Sequence, residues 1–367
     1  MPPRRTVYLD HSASTPCDPR VVEAMMPYFS EIYGNSSSSH SFGRKAEIAI
    51  DDARETIARI LNCKPNEVIF TSGGSESDNL AVRGVGWLGR AQGKGAHLIT
   101  TPVEHSAVSA PIKQMTGIQG FKSTVLPVSS EAWVDPQNLA AALRDDTALV
   151  SVIYANNEVG TIAPIPELAE QAHARGTLFH TDAVQAAGQL TLDVEALGVD
   201  MMSLSAHKFY GPKGVGALYV REGVNLEPLL HGAGHEAGRR AGTENVLEVV
   251  GLGAACALAR SWIEDPSVGR LRDAFWERLQ DLYGDRVRLN GHPDSRLPNT
   301  LNVSFLGNVG SELLARMPHV AASTGSACHA GSVHISPVLA AMKVSRDAGL
   351  GAVRFSLGRD TTTADIE

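Results

Sequence analysis

Asp200-Met-Met-Ser-Leu-Ser-Ala-His-Lys-Phe-Tyr-Gly-Pro-Lys-Gly-Val-Gly-Ala-Leu-Tyr-Val220 is the stretch on which the reading of this chain turns. Met201 to Leu204 reads as a short apolar strand that delivers Ser205, His207 and Lys208. Gly211-Pro212 then turns the chain, and Val215 to Val220 reads as a second strand. A lysine carried by a strand end into a glycine-rich turn is held by backbone. Burial or neighbouring positive charge lowers an amine's pKa and makes it nucleophilic, which a Schiff-base lysine requires. His207 can donate a hydrogen bond and, as an imidazolium, stabilise an anion. Most lysines in turns are solvated, so the reading depends on the surrounding sequence.

Outward from this stretch the chain alternates. Between His97 and Val220, strand-like runs end beside groups with chemistry: His97–Thr100 near Glu104-His105, Leu149–Ile153 at Asn156-Asn157, Thr177–His180 at Asp182, and Met201–Leu204 at Lys208. Strands alternating with helices predict a mainly parallel sheet, whose functional groups gather at the carboxyl ends of its strands. Upstream, Val68-Ile-Phe70 runs into Thr71-Ser-Gly-Gly-Ser-Glu-Ser-Asp-Asn79 and a helical continuation. Free amides at such a helix start, with the positive end of its dipole, suit a phosphate. The loop lacks the lysine and spacing of a nucleotide P-loop; a plain helix cap by Ser75 is the simpler alternative.

Two short patterns carry no weight. Gly84-Val-Gly86-Trp-Leu-Gly89 matches GxGxxG but lies within a helix instead of following a strand. Ser205-Ala-His-Lys208 and Ser77-Asp78-Asn79 match marks of penicillin-recognising acyl transferases, in reversed order and with no Lys-Thr-Gly. Beyond Arg260 a helix, short strands near Val287–Leu289 and Thr300–Ser304, and an edge-like alternation over Ala352–Leu357 indicate a smaller α+β unit.

The 367 residues favour two domains. Hydrophobic content of 43% with 20% charged residues is ordinary for a soluble protein, and a net charge of −8 without a basic stripe argues against nucleic acid or an anionic membrane as partner. The start lacks a signal-like apolar segment, and no apolar run approaches the ~20 residues of a membrane span. Cys17, Cys63, Cys256 and Cys328 lie far apart with no CxxC pair, which suits a reducing compartment, with the cytoplasm as the expectation.

Pyridoxal phosphate asks a protein for a lysine, a carboxylate for its ring nitrogen and a phosphate cradle. Lys208, Asp182 and the loop at Gly74-Ser75 answer those needs. The ordered set Thr71–Asn79, Glu104-His105, Asn156-Asn-Glu-Val-Gly160, His180-Thr-Asp-Ala-Val-Gln185, Ser205–Lys208, Arg240-Ala-Gly-Thr-Glu-Asn245, Gly325-Ser-Ala-Cys328 and Arg354-Phe-Ser-Leu-Gly-Arg359 closely resembles the NifS/IscS-type cysteine desulfurases. These lie among the class V aminotransferase-like enzymes of fold type I, and the resemblance spans almost the whole chain. It implies an α/β fold: a large domain (16–259) with a mainly parallel seven-stranded sheet, and a smaller α+β domain (1–15 and 260–367) carrying the Cys328 loop. It further implies Lys208 as the cofactor's lysine, Asp182 as partner of the ring nitrogen, His105 stacked on the ring and shuttling protons, and Gln185 on the phenolic oxygen. Gly74, Ser75, Ser205 and His207 would hold the phosphate, with Thr243 reaching the phosphate of the other subunit of a homodimer. Asn157, Arg354 and Asn35 would bind the substrate L-cysteine, and no metal is expected.

Cys328 decides the reaction the resemblance implies. It sits in a small-residue loop, beside His329, which could lower its pKa. As thiolate it would take sulfur from cysteine, leaving alanine and a persulfide for an acceptor such as an iron–sulfur assembly protein. Cys256, within Gly253-Ala-Ala-Cys-Ala-Leu-Ala259, reads as a small core residue. The family commonly has Ser or Thr where His329 stands; Cys-His here also resembles selenocysteine lyases. A metal site from Cys328, His329 and His334 would need three ligands from one loop. Family members usually continue past Glu367 through a segment that meets the acceptor. A non-catalytic interaction subunit with an inherited enzyme fold is the rival of a different class; the full cofactor set opposes it.

Overall fold

Alternation at period two builds the centre of the molecule. In the computed structural model, which describes residues 5–324 and 334–367, twelve strands are found among the described residues. They are β1 (Val7–Tyr8), β2 (Val68–Thr71), β3 (His97–Thr100), β4 (Lys122–Val125), β5 (Thr147–Ser151), β6 (Leu178–Asp182), β7 (Met201–Ser205), β8 (Gly216–Val220), β9 (Val287–Asn290), β10 (Thr300–Phe305), β11 (Val320–Ala321) and β12 (Ala352–Ser356). Seven form one sheet in the order β2-β8-β7-β6-β5-β3-β4. Its pairings are parallel except those of β8, which is antiparallel to both β2 and β7.

Both faces of this sheet are covered, so successive residues of one strand enter different cores. Ile69, Leu98, Leu149, Met201 and Leu218 pack toward the helices Gly74–Ala91 and Ser106–Ile118. Val68, Phe70, Val150, Phe179, Met202 and Tyr219 share the opposite core with residues of Ser41–Leu61, Ile165–His173 and Val246–Ala259. Cys256 is buried in that second core, as its small-residue context predicts. The glycines of the GxGxxG match are packing residues: a Cβ on Gly84 would stand 2.7 Å from the Glu227 carbonyl oxygen.

The strand β4, with the sequence Lys-Ser-Thr-Val, is absent from the sequence reading. It is a mostly exposed edge strand without an apolar face. The predicted edge strand at the C-terminal end is β12, terminal in the antiparallel sheet β12-β10-β9. It is nevertheless buried throughout, because Asp10 bridges to Ser356 and Ser323 to Arg354 along its outer side. Leu9 joins Phe275, Val303, Val353 and Phe355 in one core, and β1 pairs with β11, so the first described residues pack with the last.

Candidate active site

The carboxyl ends of β6 and β7 open on a cavity of about 630 Å³ lined by, among others, Gly74, Ser75, Asp182, Gln185, Ser205 and Lys208. Lys208 follows β7 in the single turn Ala206–Lys208. Its Nζ donates to the carbonyl oxygens of Ser12 at 2.6 Å and Ala13 at 3.0 Å. Burial and the nearby Arg354 charge bring its pKa from 10.5 down to about 8, against smaller opposing pulls from Asp182 and Asp10. The amine is thus far more available as a nucleophile and base than a solvated lysine.

Asp182 is the last residue of β6 and only 3% exposed. Its Oδ1 accepts the Val184 backbone N–H at 2.9 Å. Two residues earlier on the same face, His180 touches Ser151 Oγ at 2.9 Å and Ser203 Oγ at 3.0 Å. Complete burial pushes it down to about 3, so it is neutral. Glu104, pushed up to about 8 by burial, accepts from Thr101 Oγ1 at 2.7 Å and from the Ile153 N–H at 3.0 Å. His105 caps the helix Ser106–Ile118, its Nδ1 accepting the Ala107 N–H at 3.2 Å. His105 also lines the cavity.

The far end suits an anion. Gly73 caps the helix Gly74–Ala91 at φ 143 with no side-chain cap, so the amides of the first turn lack partners within the helix. A Cβ on Gly74 would lie 2.7 Å from Val184 Cγ2, so only glycine lets the helix start approach the loop after β6. Ser75, Ser205 and His207 line the same end. Glu76, also there, does not oppose an anion, since Arg240 Nε donates to its Oε1 at 2.9 Å. Burial together with Lys208 and Lys213 pushes His207 down to about 4, and its Nδ1 meets Ser14 Oγ at 3.2 Å.

Arg354 is buried at the cavity wall, where Nη1 donates to the Asn157 carbonyl at 2.7 Å and Nη2 to Asp10 Oδ1 at 2.7 Å. Its Nε, also buried, has no hydrogen-bond partner among the described residues. Asn157 lines the cavity, as does Gln185, whose Nε2 donates to the Ser12 carbonyl at 2.9 Å. Asn35 and Thr243 are exposed and do not line it. The Asn35 carboxamide instead closes its own turn, accepting the Ser37 N–H at 2.9 Å. Cys328, His329 and the rest of 325–333 lie outside the described residues.

Sequence reasoning missed the loop Asp10–Thr15, whose carbonyls hold Lys208 and Gln185; backbone acceptors leave no trace in residue type. It also missed Asp78 and Lys213, which line the cavity. A carboxylate between helix-start glycines and a strand-end acid was the available signal for Asp78.

The donor set fits pyridoxal phosphate: a depressed amine, a buried acid for the ring nitrogen, and an uncapped helix start with two hydroxyls for the phosphate. Sheet order and site together define a fold-type I pyridoxal-phosphate-dependent enzyme. The chain belongs to the class-V aminotransferase family, whose sequence profile matches residues 7–367. It is 47% identical over 367 residues to the cysteine desulfurase IscS of Dictyoglomus turgidum, covering 99% of this chain and 92% of that protein. A solved NifS-like protein matches with TM-score 0.91 at 37% identity, over 98% of this chain and 96% of its own. The structure of SspA in complex with cysteine matches with TM-score 0.85 at 36% identity, over 96% and 99% respectively.

Proposed function

We propose that this chain is a cysteine desulfurase that takes sulfur from L-cysteine, leaves L-alanine, and carries the sulfur on Cys328 as a persulfide. The observation that carries the reading is the convergence of Lys208, Asp182 and the uncapped helix start on one cavity, in a chain whose relatives and structural neighbours include cysteine desulfurases and a cysteine complex.

Pyridoxal phosphate bound there supplies an electron-withdrawing ring that stabilises negative charge at Cα of an amino acid. Lys208 would hold the cofactor's aldehyde carbon, Asp182 its ring nitrogen and Gln185 its phenolic oxygen. Gly74, Ser75, Ser205 and His207 would hold the phosphate. Arg354 and Asn157 would orient the substrate carboxylate. Lys208, basic enough at a pKa of about 8, would take the Cα proton, with His105 exchanging protons beside it. The Cys328 thiolate would attack the substrate sulfur, the S–S bond forming as Cβ–S breaks; the electron pair left on Cβ would take a proton, and return of a proton to Cα would complete alanine.

The same reading takes residues 16–259 as the large domain and 1–15 with 260–367 as the small one. It makes the enzyme a cytoplasmic homodimer in which Thr243 serves the partner's phosphate end, and gives the persulfide to an acceptor such as an iron–sulfur assembly protein. No helix among the described residues is long and apolar enough to cross a membrane. The test is alanine formation from cysteine, with mass spectrometry of the Cys328 peptide. Wild type should make alanine and gain one sulfur atom on Cys328. Cys328→Ser should keep the cofactor's colour while desulfuration falls by at least ~100-fold. Undiminished activity in that variant would remove Cys328 from the mechanism.

A further inference from the structure

The acid at the cavity floor has a companion. Asp78 comes from the helix Gly74–Ala91, is 1% exposed, and lines the cavity. A carboxylate oxygen from each of Asp78 and Asp182 and a ring nitrogen of His105 all lie within 4.8 Å of one another. Asp78 Oδ1 is buried without a hydrogen-bond partner among the described residues. His180 Nε2 is 3.7 Å from it, beyond hydrogen-bond range, and engages Ser203 Oγ at 3.0 Å instead. Among the described residues no Lys or Arg forms an ion pair with either carboxyl.

Two buried carboxyl groups this close, with no cation paired to them, do not both ionise. Burial raises the Asp182 carboxyl too, but the Val184 N–H, His105 and Lys208 all oppose that rise and favour its charged form. Asp78 has only a Ser203 hydroxyl in its favour, while burial, Asp182 and Glu104 hold its carboxyl well above the usual range. The groups that face it are therefore Asp182 and His180 from β6, Ser203 from β7, and Glu104 and His105 from the segment after β3. His180 is neutral and brings no compensating charge.

We propose that Asp78 is a positioning residue of the cofactor site, standing beside Asp182 as a protonated carboxylic acid so that the pair presents a single negative charge to the ring nitrogen. This rests on the cavity being a pyridoxal phosphate site. A second ionised carboxyl would set Asp182 against an unscreened like charge. A hydrocarbon in its place would leave Asp182 without a polar neighbour on that side and open space for water.

The full-length holoenzyme decides this, by infrared spectra in H₂O and D₂O at neutral pH and by the rate at which cofactor absorbance is lost on dialysis. Wild type is expected to show a deuterium-sensitive protonated-carboxyl band that Asp78→Asn removes and Glu104→Gln leaves in place, the latter removing only a band of its own. Asp78→Asn keeps shape and neutrality, so its cofactor loss should stay within about twofold of wild type, whereas Asp78→Ala should lose cofactor about tenfold faster or more. Persistence of the band in Asp78→Asn, or cofactor loss from that variant as fast as from Asp78→Ala, would overturn the proposal. A wild-type protein that takes up no pyridoxal phosphate, whatever its infrared band, would instead sink the reading of the cavity and this role with it.

Discussion

An amine attacks an aldehyde only when neutral, so the role proposed for Lys208 depends on how far burial has lowered its basicity. At its ordinary pKa of 10.5 the neutral fraction near neutrality would be negligible; at about 8 roughly a tenth of the amine is free at pH 7. The rate at which cofactor-free protein takes up pyridoxal phosphate should therefore rise with pH and level off above about 8, followed by stopped-flow absorbance. A midpoint near 10.5 would mean a solvated amine. Linkage runs the same way. Between about 8 and 10.5 the unfolded chain binds a proton at this position that the folded chain does not. The group's contribution is thus unfavourable below that window and is relieved as pH rises through it. His207, neutral down to about 4 in the free protein, adds no inflection in this range.

Elements, not isolated residues, hold the uncapped helix start at Gly74 in shape. The segment His235–Gly238 contains Glu236 at φ 50 and Ala237 at φ 55, a left-handed conformation costly for residues with a Cβ. It is pinned by Arg54, whose two Nη atoms donate to the two Glu236 oxygens at 2.9 Å each, and by the Phe70 N–H at 3.0 Å. Phe70 lies on β2, the strand that feeds the helix start at Gly74. Glu236→Ala removes the buried partner of the half-buried Arg54, and should cost about 3 kcal/mol in urea unfolding of the cofactor-free protein; a loss under about 1 kcal/mol would show the pair to be incidental. Legibility also varied by element. The ends of β6 and β7 could be read because an acid and an amine sit where apolar runs stop. β4 could not, since an exposed edge of Lys-Ser-Thr-Val has no apolar period. Ser12 and Ala13 act through carbonyls that every residue owns. Asp78 looked like one more polar residue on a helix until the sheet set that helix over β6.

For the whole molecule, the exposed apolar side chains bear on assembly. Met26, Phe29, Tyr33, Phe42 and Ile48, all within 26–48, are 48–67% exposed, and the Tyr33 and Phe42 rings stand 5.6 Å apart. A homodimer would cover such a surface and would bring the exposed Thr243 to a partner's cavity. Light scattering should give twice the chain mass, and Phe29→Asp with Tyr33→Asp should weaken the dimer by about 100-fold and speed cofactor loss. A wild-type monomer that retains its cofactor would refute the shared site. The proposed chemistry begins at one covalent link between Lys208 and the cofactor, and Lys213, in the same cavity, is the rival amine. Borohydride reduction of the holoprotein followed by peptide mapping should find the phosphopyridoxyl group on Lys208. Finding it on Lys213, or on no peptide at all, would contradict the mechanism at its origin.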